Sequence, residues 1–175
     1  GAAAYPKFVG GLSFSGDWKG IDLSFLFQAG LGRDVALTGV YSGGIMDNTQ
    51  MTKPFYHGGN SPKYLVENSW REDNTNAEFP RLSIVQASSN NAYSSTFWYR
   101  SGDYLRLKNL QIGYTFPQKW MSRIGIDRLR IYFEGQNLWT VSELTKFNID
   151  PEQPGVSNGY YPQQRIFSFG VNLAF

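Results

Sequence analysis

Cysteine is absent from this chain of 175 residues, and histidine occurs once, as His57. No disulfide framework can form, and neither a thiolate metal site nor a cysteine nucleophile is available. One histidine in a Gly/Asn-rich stretch cannot build a histidine metal cluster, so no metal and no cofactor is expected. Charge of one sign is scarce as well. Lys and Arg number 16 against 14 Asp and Glu, a net charge of +2, which gives no footprint for nucleic acid. Long apolar runs are missing too, and a membrane helix needs roughly 18 or more consecutive apolar residues. The N-terminal "GAAAYPKF" has neither the basic n-region nor the apolar h-region of a signal peptide. An exported protein of this kind is expected to be a piece of something longer.

Aromatic residues and glycine, by contrast, are abundant: 13 Phe, 11 Tyr and 5 Trp beside 19 Gly. That mixture fits strands, turns and interfacial aromatic belts better than a helical bundle. The mean hydropathy of -0.37 does not exclude a membrane protein. A barrel places its apolar residues at alternate positions and looks hydrophilic on average.

Period-two alternation predicts five strands. The first covers about Tyr5 to Phe14 and leads into the polar turn "SGDWKG" (Ser15–Gly20). The second, "IDLSFLFQAGL", sets Ile21, Leu23, Phe25, Phe27, Ala29 and Leu31 on one face, with Asp22, Ser24, Gln28 and Gly30 on the other. From Gly32 to about Ser101 the pattern dissolves into Gly, Asn, Ser and Tyr, with a hint of a short helix in "SPKYLVENSW". The third strand, about Tyr104 to Phe116, aligns Leu110, Ile112, Tyr114 and Phe116. Its phase flips near the start, where Leu105 and Leu107 alternate with Arg106 and Lys108, so either a bulge sits near Lys108 and Asn109 or the strand leaves the apolar layer there. "PQKWMSRIGID" reads as a modest turn. The fourth strand, "LRIYFEGQNLW", turns Leu129, Ile131 and Phe133 one way and Arg130, Glu134 and Gln136 the other. A second loop over 140–164 leads to "RIFSFGVNLAF", in which Phe167, Phe169, Val171, Leu173 and Phe175 share a phase.

Connections that alternate short and long, between strands of about 10 residues, describe a meander of transmembrane strands. The expected fold is therefore an all-β, antiparallel transmembrane β-barrel. The long segments 32–101 and 140–164 become extracellular loops, and the C-terminus falls on the periplasmic side with the short turns. Five strands cannot close, since small barrels need about eight and an open edge has no place in lipid. The whole chain, 1–175, is thus expected to be the C-terminal part of a larger barrel.

Several linked motifs carry a family likeness: "YLRLKNLQIGYTFP", "LRIYFEGQNLW", "DPE" (Asp150–Glu152) and "YYPQQRIFSFGVNLAF". They resemble the C-terminal end of the SusC/RagA family, the large TonB-dependent outer-membrane transporters of Bacteroidetes. "NSWREDNTNAEFPRL" is similar to that family's tryptophan-to-proline loop stretch, and "YPKFVGGLSFSGDWKGIDLSFLF" to the hairpin that precedes it. The likeness covers nearly the whole chain. It departs at Arg71, Glu72 and Asp73, where many members read Thr-Pro-Glu. The resemblance implies that these are the last five strands of a 22-stranded barrel with an N-terminal plug. It implies import of oligosaccharides or peptides energised through TonB, and a SusD-like lipoprotein as lid. The expected partners are accordingly the rest of the barrel and its plug, the SusD-like lipoprotein, TonB through an absent N-terminal part, and outer-membrane lipid.

Phe175 fits the C-terminal aromatic recognised by the outer-membrane assembly machinery, or else plain lipid contact. Loop aromatics, namely Trp70, Phe97, Trp98, Tyr99, Tyr160 and Tyr161, are candidates for contact with ligand or lid. The competing reading packs them inside the loop or places them in the interfacial belt. Asp22, Gln28, Arg130, Glu134 and Gln136 are expected to face the lumen. Asp73, Glu78, Asp150 and Glu152 are the carboxylates to test for acid/base chemistry; Asp150 with Pro151 reads first as turn chemistry, and no enzyme is expected. Two other classes compete: a soluble β-sandwich that binds glycans through exposed aromatics, and a barrel enzyme, which needs a converging Asp/His or Ser/His group.

Overall fold

A computed structural model of the chain describes residues 2–37, 62–82, 95–154 and 163–175. The strands are β1 (Phe8–Trp18), β2 (Ile21–Leu31), β3 (Asp34–Ala36), β4 (Tyr99–Ser101), β5 (Tyr104–Thr115), β6 (Arg128–Ser142) and β7 (Ile166–Ala174). Two short helices, α1 (Lys63–Glu67) and α2 (Gln118–Met121), lie between them. Two compact units result. The strand unit comprises Lys7–Leu31, Tyr104–Val141 and Gln163–Phe175, and the loop unit Gly1–Pro6, Gly32–Asp103 and Ser142–Pro162.

In the strand unit the five predicted strands form one sheet in the order β1-β2-β5-β6-β7. The first connection is a tight hairpin, as its glycine-rich sequence suggested, but its turn is shorter than Ser15–Gly20. Strand β1 runs on through Ser15–Trp18, pairing Gly16 with Leu23 and Trp18 with Ile21. Only Lys19 (φ 50°) and Gly20 (φ 87°) are left in the turn. Two successive positive φ values make a type I′ turn, whose twist matches that of the flanking strands. The phase flip in β5 is a bulge, one of the two expected readings. Leu26 pairs with Asn109 but Phe27 pairs with Leu107, which leaves Lys108 as the extra residue. That one residue returns Leu105 and Leu107 to the face of Leu110 and Ile112. "PQKWMSRIGID" holds α2 and a 3-10 turn over Ser122–Ile124, ended by Gly125 at φ 75°.

Register then decides the faces. Phe14 opposes Phe25, Phe25 opposes Leu110, Leu129 opposes Leu173, and Phe133 opposes Phe169. The apolar phases of all five strands therefore merge into one surface. Its rings pack side by side: Phe14 and Phe25 lie 5.3 Å apart, and Phe133 and Phe169 5.2 Å apart. Phe8, Leu12, Phe167, Phe169 and Val171 on this surface are exposed. Among the described residues the only other sheet pairs β3 with β4, three residues each, in the loop unit. The second sheet that a β-sandwich requires is thus not among them.

The loop unit has a separate core. Val35, Leu37, Leu65, Phe79, Trp98, Leu144, Phe147 and Ile149 are buried together. A 3-10 turn, Glu143–Phe147, starts where the Ser142 hydroxyl accepts from the Leu144 amide and stops at Asn148, φ 56°. Asn tolerates that left-handed conformation better than most side chains. The turn delivers Leu144 and Phe147 to the core from a stretch otherwise read as polar loop.

Candidate functional site

Two surfaces gather the residues singled out from sequence. The first is the polar face of the strand unit. Asp22, Gln28, Arg130, Glu134 and Gln136 all fall on it by register, opposite Gly113, Arg106, Asn172, Ser168 and Ile166 respectively. Arg130 grips Asp22 with both arms, Nε to Oδ2 at 2.9 Å and Nη2 to Oδ1 at 2.6 Å. Asp22 is on β2 and Arg130 on β6, so the pair must cross β5 between them. It passes over Gly113, where a Cβ would stand 2.6 Å from Arg130 Nη2 and closer still to Asp22 Oδ2. The guanidinium also lies 4.8 Å from the ring of Tyr132, and that ring covers Gly170, where a Cβ would overlap it. Further along the face, Gln28 donates to the Tyr104 hydroxyl at 3.3 Å. Arg106, 3% exposed, donates to Thr140 Oγ1 at 2.9 Å and to Gln163 Oε1 at 2.8 Å.

The second surface belongs to the loop unit. Trp70, 37% exposed, separates two concavities of about 540 and 410 Å³. Arg81 and Trp70 line both; Arg71 and Leu82 line the larger, and Pro80 and Phe97 the smaller. Glu72 lines the larger and Glu78 the smaller, so an indole among charges of both signs suits a ligand or a protein segment with both apolar and polar parts. The backbone beneath is held by reciprocal bonds: the Trp70 amide donates to the Phe79 carbonyl at 2.9 Å, and the Phe79 amide to the Asn68 carbonyl at 2.9 Å.

Glu78 organises this unit. Its Oε2 accepts from the Tyr64 hydroxyl at 2.7 Å, its Oε1 from Arg100 Nη2 at 3.1 Å, and both oxygens from Lys146 at 3.2 and 3.3 Å. Partial burial alone raises the pKa of this carboxyl. The hydrogen bonds from Tyr64, Lys146 and Arg100, with the Lys146 charge, outweigh it and hold Glu78 below its usual value. The bond to Glu78 in turn raises the Tyr64 phenol. Glu78 is thus held as an anion that ties Tyr64, Arg100 and Lys146 together.

Trp98 corrects one expectation. It is 1% exposed, stacked on Phe79 at 6.2 Å and edge-on to Phe97 at 4.9 Å. An indole inside that core can meet neither a ligand, a lid nor an interfacial belt; it packs the loop on itself. Tyr99, by contrast, is 37% exposed on β4. Tyr160 and Tyr161 lie outside the described residues. Asp150 behaves as turn chemistry: its carboxylate accepts from the Glu152 amide at 2.9 Å. Asp73 pairs with Arg71 at 3.2 Å on the surface. Among the described residues no group of three or more His, Cys, Asp and Glu could hold a metal, and no helix is long and apolar enough to cross a membrane. Sequence reasoning missed the Tyr64–Glu78–Arg100–Lys146 cluster, whose bonds to Glu78 reach across as many as 68 positions and show no local pattern.

An antiparallel meander with one apolar face and, among the described residues, no partner on the outer edges of β1 and β7 has the form of a stretch of membrane-barrel wall. Comparison with known proteins agrees. No family model matches the chain. TonB-dependent receptor P3 of Formosa agariphila is 28% identical over 97% of the chain and 16% of its own length. TonB-dependent receptor SusC of Bacteroides thetaiotaomicron is 30% identical over 58% of the chain and 10% of its length. Among solved structures, the RagAB peptide transporter matches 99% of the chain and 18% of its own at TM-score 0.67 and 27% identity. The RagAB peptide importer in its open-open state gives 0.63 and 28% over the same shares. Over nearly its whole length, then, the chain is homologous to SusC/RagA-family TonB-dependent receptors, and it spans under a fifth of their length. The homology is to receptors and transporters rather than enzymes, and it implies the outer membrane of a Gram-negative cell.

Proposed function

We propose that the chain forms the last five strands of a 22-stranded barrel that imports oligosaccharides or peptides with energy drawn through TonB. The observation that carries this reading is the continuous apolar face, running from Phe8 on β1 to Leu173 on β7, on a sheet that is open at both edges. In water such a surface costs about 25 cal/mol for every Å² left uncovered; against acyl chains it costs nothing. The polar face, with Asp22, Gln28, Arg130, Glu134 and Gln136, then lines the lumen against the plug. The hairpin turn at Lys19–Gly20, the α2 connection and Phe175 lie on the periplasmic side. Phe175, 86% exposed beyond the end of β7, is available to the assembly machinery.

Segments 32–101 and 140–164 are the extracellular loops, and their shared core holds Trp70 and Tyr99 at a surface for a SusD-like lipoprotein or for the imported ligand. Similarity to the RagAB peptide importer favours a peptide as that ligand. The test is mass spectrometry of every polypeptide in the native, detergent-extracted particle. Peptides from a much longer chain continuing upstream of Gly1, accompanied by a lipoprotein, are the expected result. This chain alone, monodisperse without detergent, would overturn the proposal.

A further inference from the structure

At one end of the strand unit the short connections gather. The Thr115 amide donates to Gly20 at 2.7 Å, Phe116 to Leu129 at 2.9 Å, and Asp127 to Ala174 at 2.9 Å, which ties the two turns and the end of β7 together. This end has an unusual surface. Trp120 and Ile124, four positions apart on the α2 connection, are 56% and 66% exposed, while Met121 between them is buried. Lys119 and Arg123 repeat the same four-residue spacing one position earlier, and both are exposed. Trp18, also exposed, lies under the Lys19 ammonium, 4.6 Å from ring centre to nitrogen.

Charge here is lopsided. Lys19, Lys119, Arg123 and Arg128 stand against Asp17 and Asp127, whereas Asp22 is occupied by Arg130. Neither Lys119 nor Arg123 has an acidic partner among the described residues. Their neighbours Trp120 and Ile124 offer apolar area that water disfavours. Trp with basic side chains is the combination that settles at the boundary of a bilayer, the ring at headgroup depth and the cation at phosphate. The adjoining β5 and β6 bring the apolar face, through Ile112, Tyr114 and Ile131, up to the same edge.

We propose that the α2 connection is an anionic-phospholipid site: Lys119 and Arg123 hold a phosphodiester headgroup while Trp120 and Ile124 enter the acyl boundary beside it. A second protein is the weaker occupant, because the connection is a helix of four residues too short to present a groove. The proposal rests on the outer-membrane reading above, and adds to it a preference among lipids. The surface faces the leaflet reached by the short turns, and its cations select phosphatidylglycerol over a zwitterionic lipid.

The test titrates phosphatidylglycerol or phosphatidylcholine onto the full-length receptor in detergent and counts bound lipids by native mass spectrometry. A basic side chain at an anionic surface contributes about fivefold in affinity. The wild type should therefore prefer phosphatidylglycerol by roughly tenfold or more. Lys119→Gln/Arg123→Gln should abolish that preference, and the charge-matched control Lys63→Gln/Arg165→Gln, outside the α2 connection, should keep it. These exposed exchanges leave no buried group unpaired, and the heat-induced gel shift of each variant reports its folding. Wild-type protein that binds the two lipids equally overturns the lipid site while leaving the membrane reading intact. So does a preference that survives Lys119→Gln/Arg123→Gln, or one erased by equimolar inorganic phosphate, which would mark a free-phosphate site. Binding of neither lipid, by a protein monodisperse without detergent, overturns both readings.

Discussion

Gly113 should be worth more to the strand unit than alanine, and only because of the ion pair that crosses it. A methyl group at 113 stands 2.6 Å from Arg130 Nη2, so Gly113→Ala must push the guanidinium and the Asp22 carboxylate apart. The pair makes two charge-assisted bonds of 2.9 and 2.6 Å between side chains 13% and 33% exposed. Hydrogen bonds to charged groups contribute about 1.5–3 kcal/mol, and screening at this partly open face reduces that to about 1–2 kcal/mol. Against the loss, alanine returns about 0.5–1 kcal/mol of backbone entropy within a strand. Gly113→Ala should thus destabilise the intact barrel by about 1 kcal/mol. In an Asp22→Ala/Arg130→Ala background, with the obstruction removed, the same exchange should stabilise it by about 0.5 kcal/mol. Denaturant midpoints of the four detergent-solubilised proteins, followed by tryptophan fluorescence, give the comparison directly. A cost of the same sign and size in both backgrounds would refute the reasoning and assign the glycine some other task.

The two faces should also respond oppositely to charge: Phe25→Arg, on the apolar face, should cost about 2–4 kcal/mol and block assembly, whereas Ser24→Arg on the polar face should assemble normally; a folding assay in lipid vesicles separates them, and equal harm would sink the face assignment. Acid should loosen the loop unit. Glu78 has a lowered pKa in the folded state, so its contribution is complete above the unfolded carboxyl value of about 4.3 and fades as pH falls through the lower folded value. Amide exchange across 62–82 should accelerate in that window, while Glu78→Gln should exchange faster at neutral pH and lose this acid step. Trp98→Ala, which empties a core position, should cost the loop unit about 3–5 kcal/mol, read as proteolytic nicking between the loops. Trp70→Ala should leave nicking unchanged and weaken capture of the lipoprotein in a pull-down.

Strand identity was legible because a half-buried or lipid-facing strand must alternate, and five segments do. The phase flip at Leu105 and Leu107 was readable too. Sequence left a bulge near Lys108 and Asn109 and a departure from the apolar layer as equal readings, and only the pairing of Phe27 with Leu107 decided for the bulge. The first turn was overread. Its polar letters at Ser15 and Asp17 belong to the polar phase of a continuing strand, opposite Ser24 and Asp22, and only the two positive-φ residues mark the bend. The polar wall was legible as a set of positions but not as a network. Nothing local announces that Asp22 meets Arg130 across 108 positions, or that Gly113 exists to let them pass. The loop core was the least visible. Its apolar residues come singly from segments without period, so their convergence depends on tertiary contacts alone, and Trp98 was misplaced for that reason.

The composition of that core has a consequence for how such chains diverge. Val35 and Leu37 come from one end of the long connection, Leu65, Phe79 and Trp98 from its middle and far end, and Leu144, Phe147 and Ile149 from the next connection altogether. Neither connection can bury its apolar residues without the other. A recombination event that exchanged one of them between relatives would leave half a core facing water, and so would an insertion that moved Phe147 by a residue. Loops usually drift one by one. Here selection has to carry two of them as a single unit of inheritance.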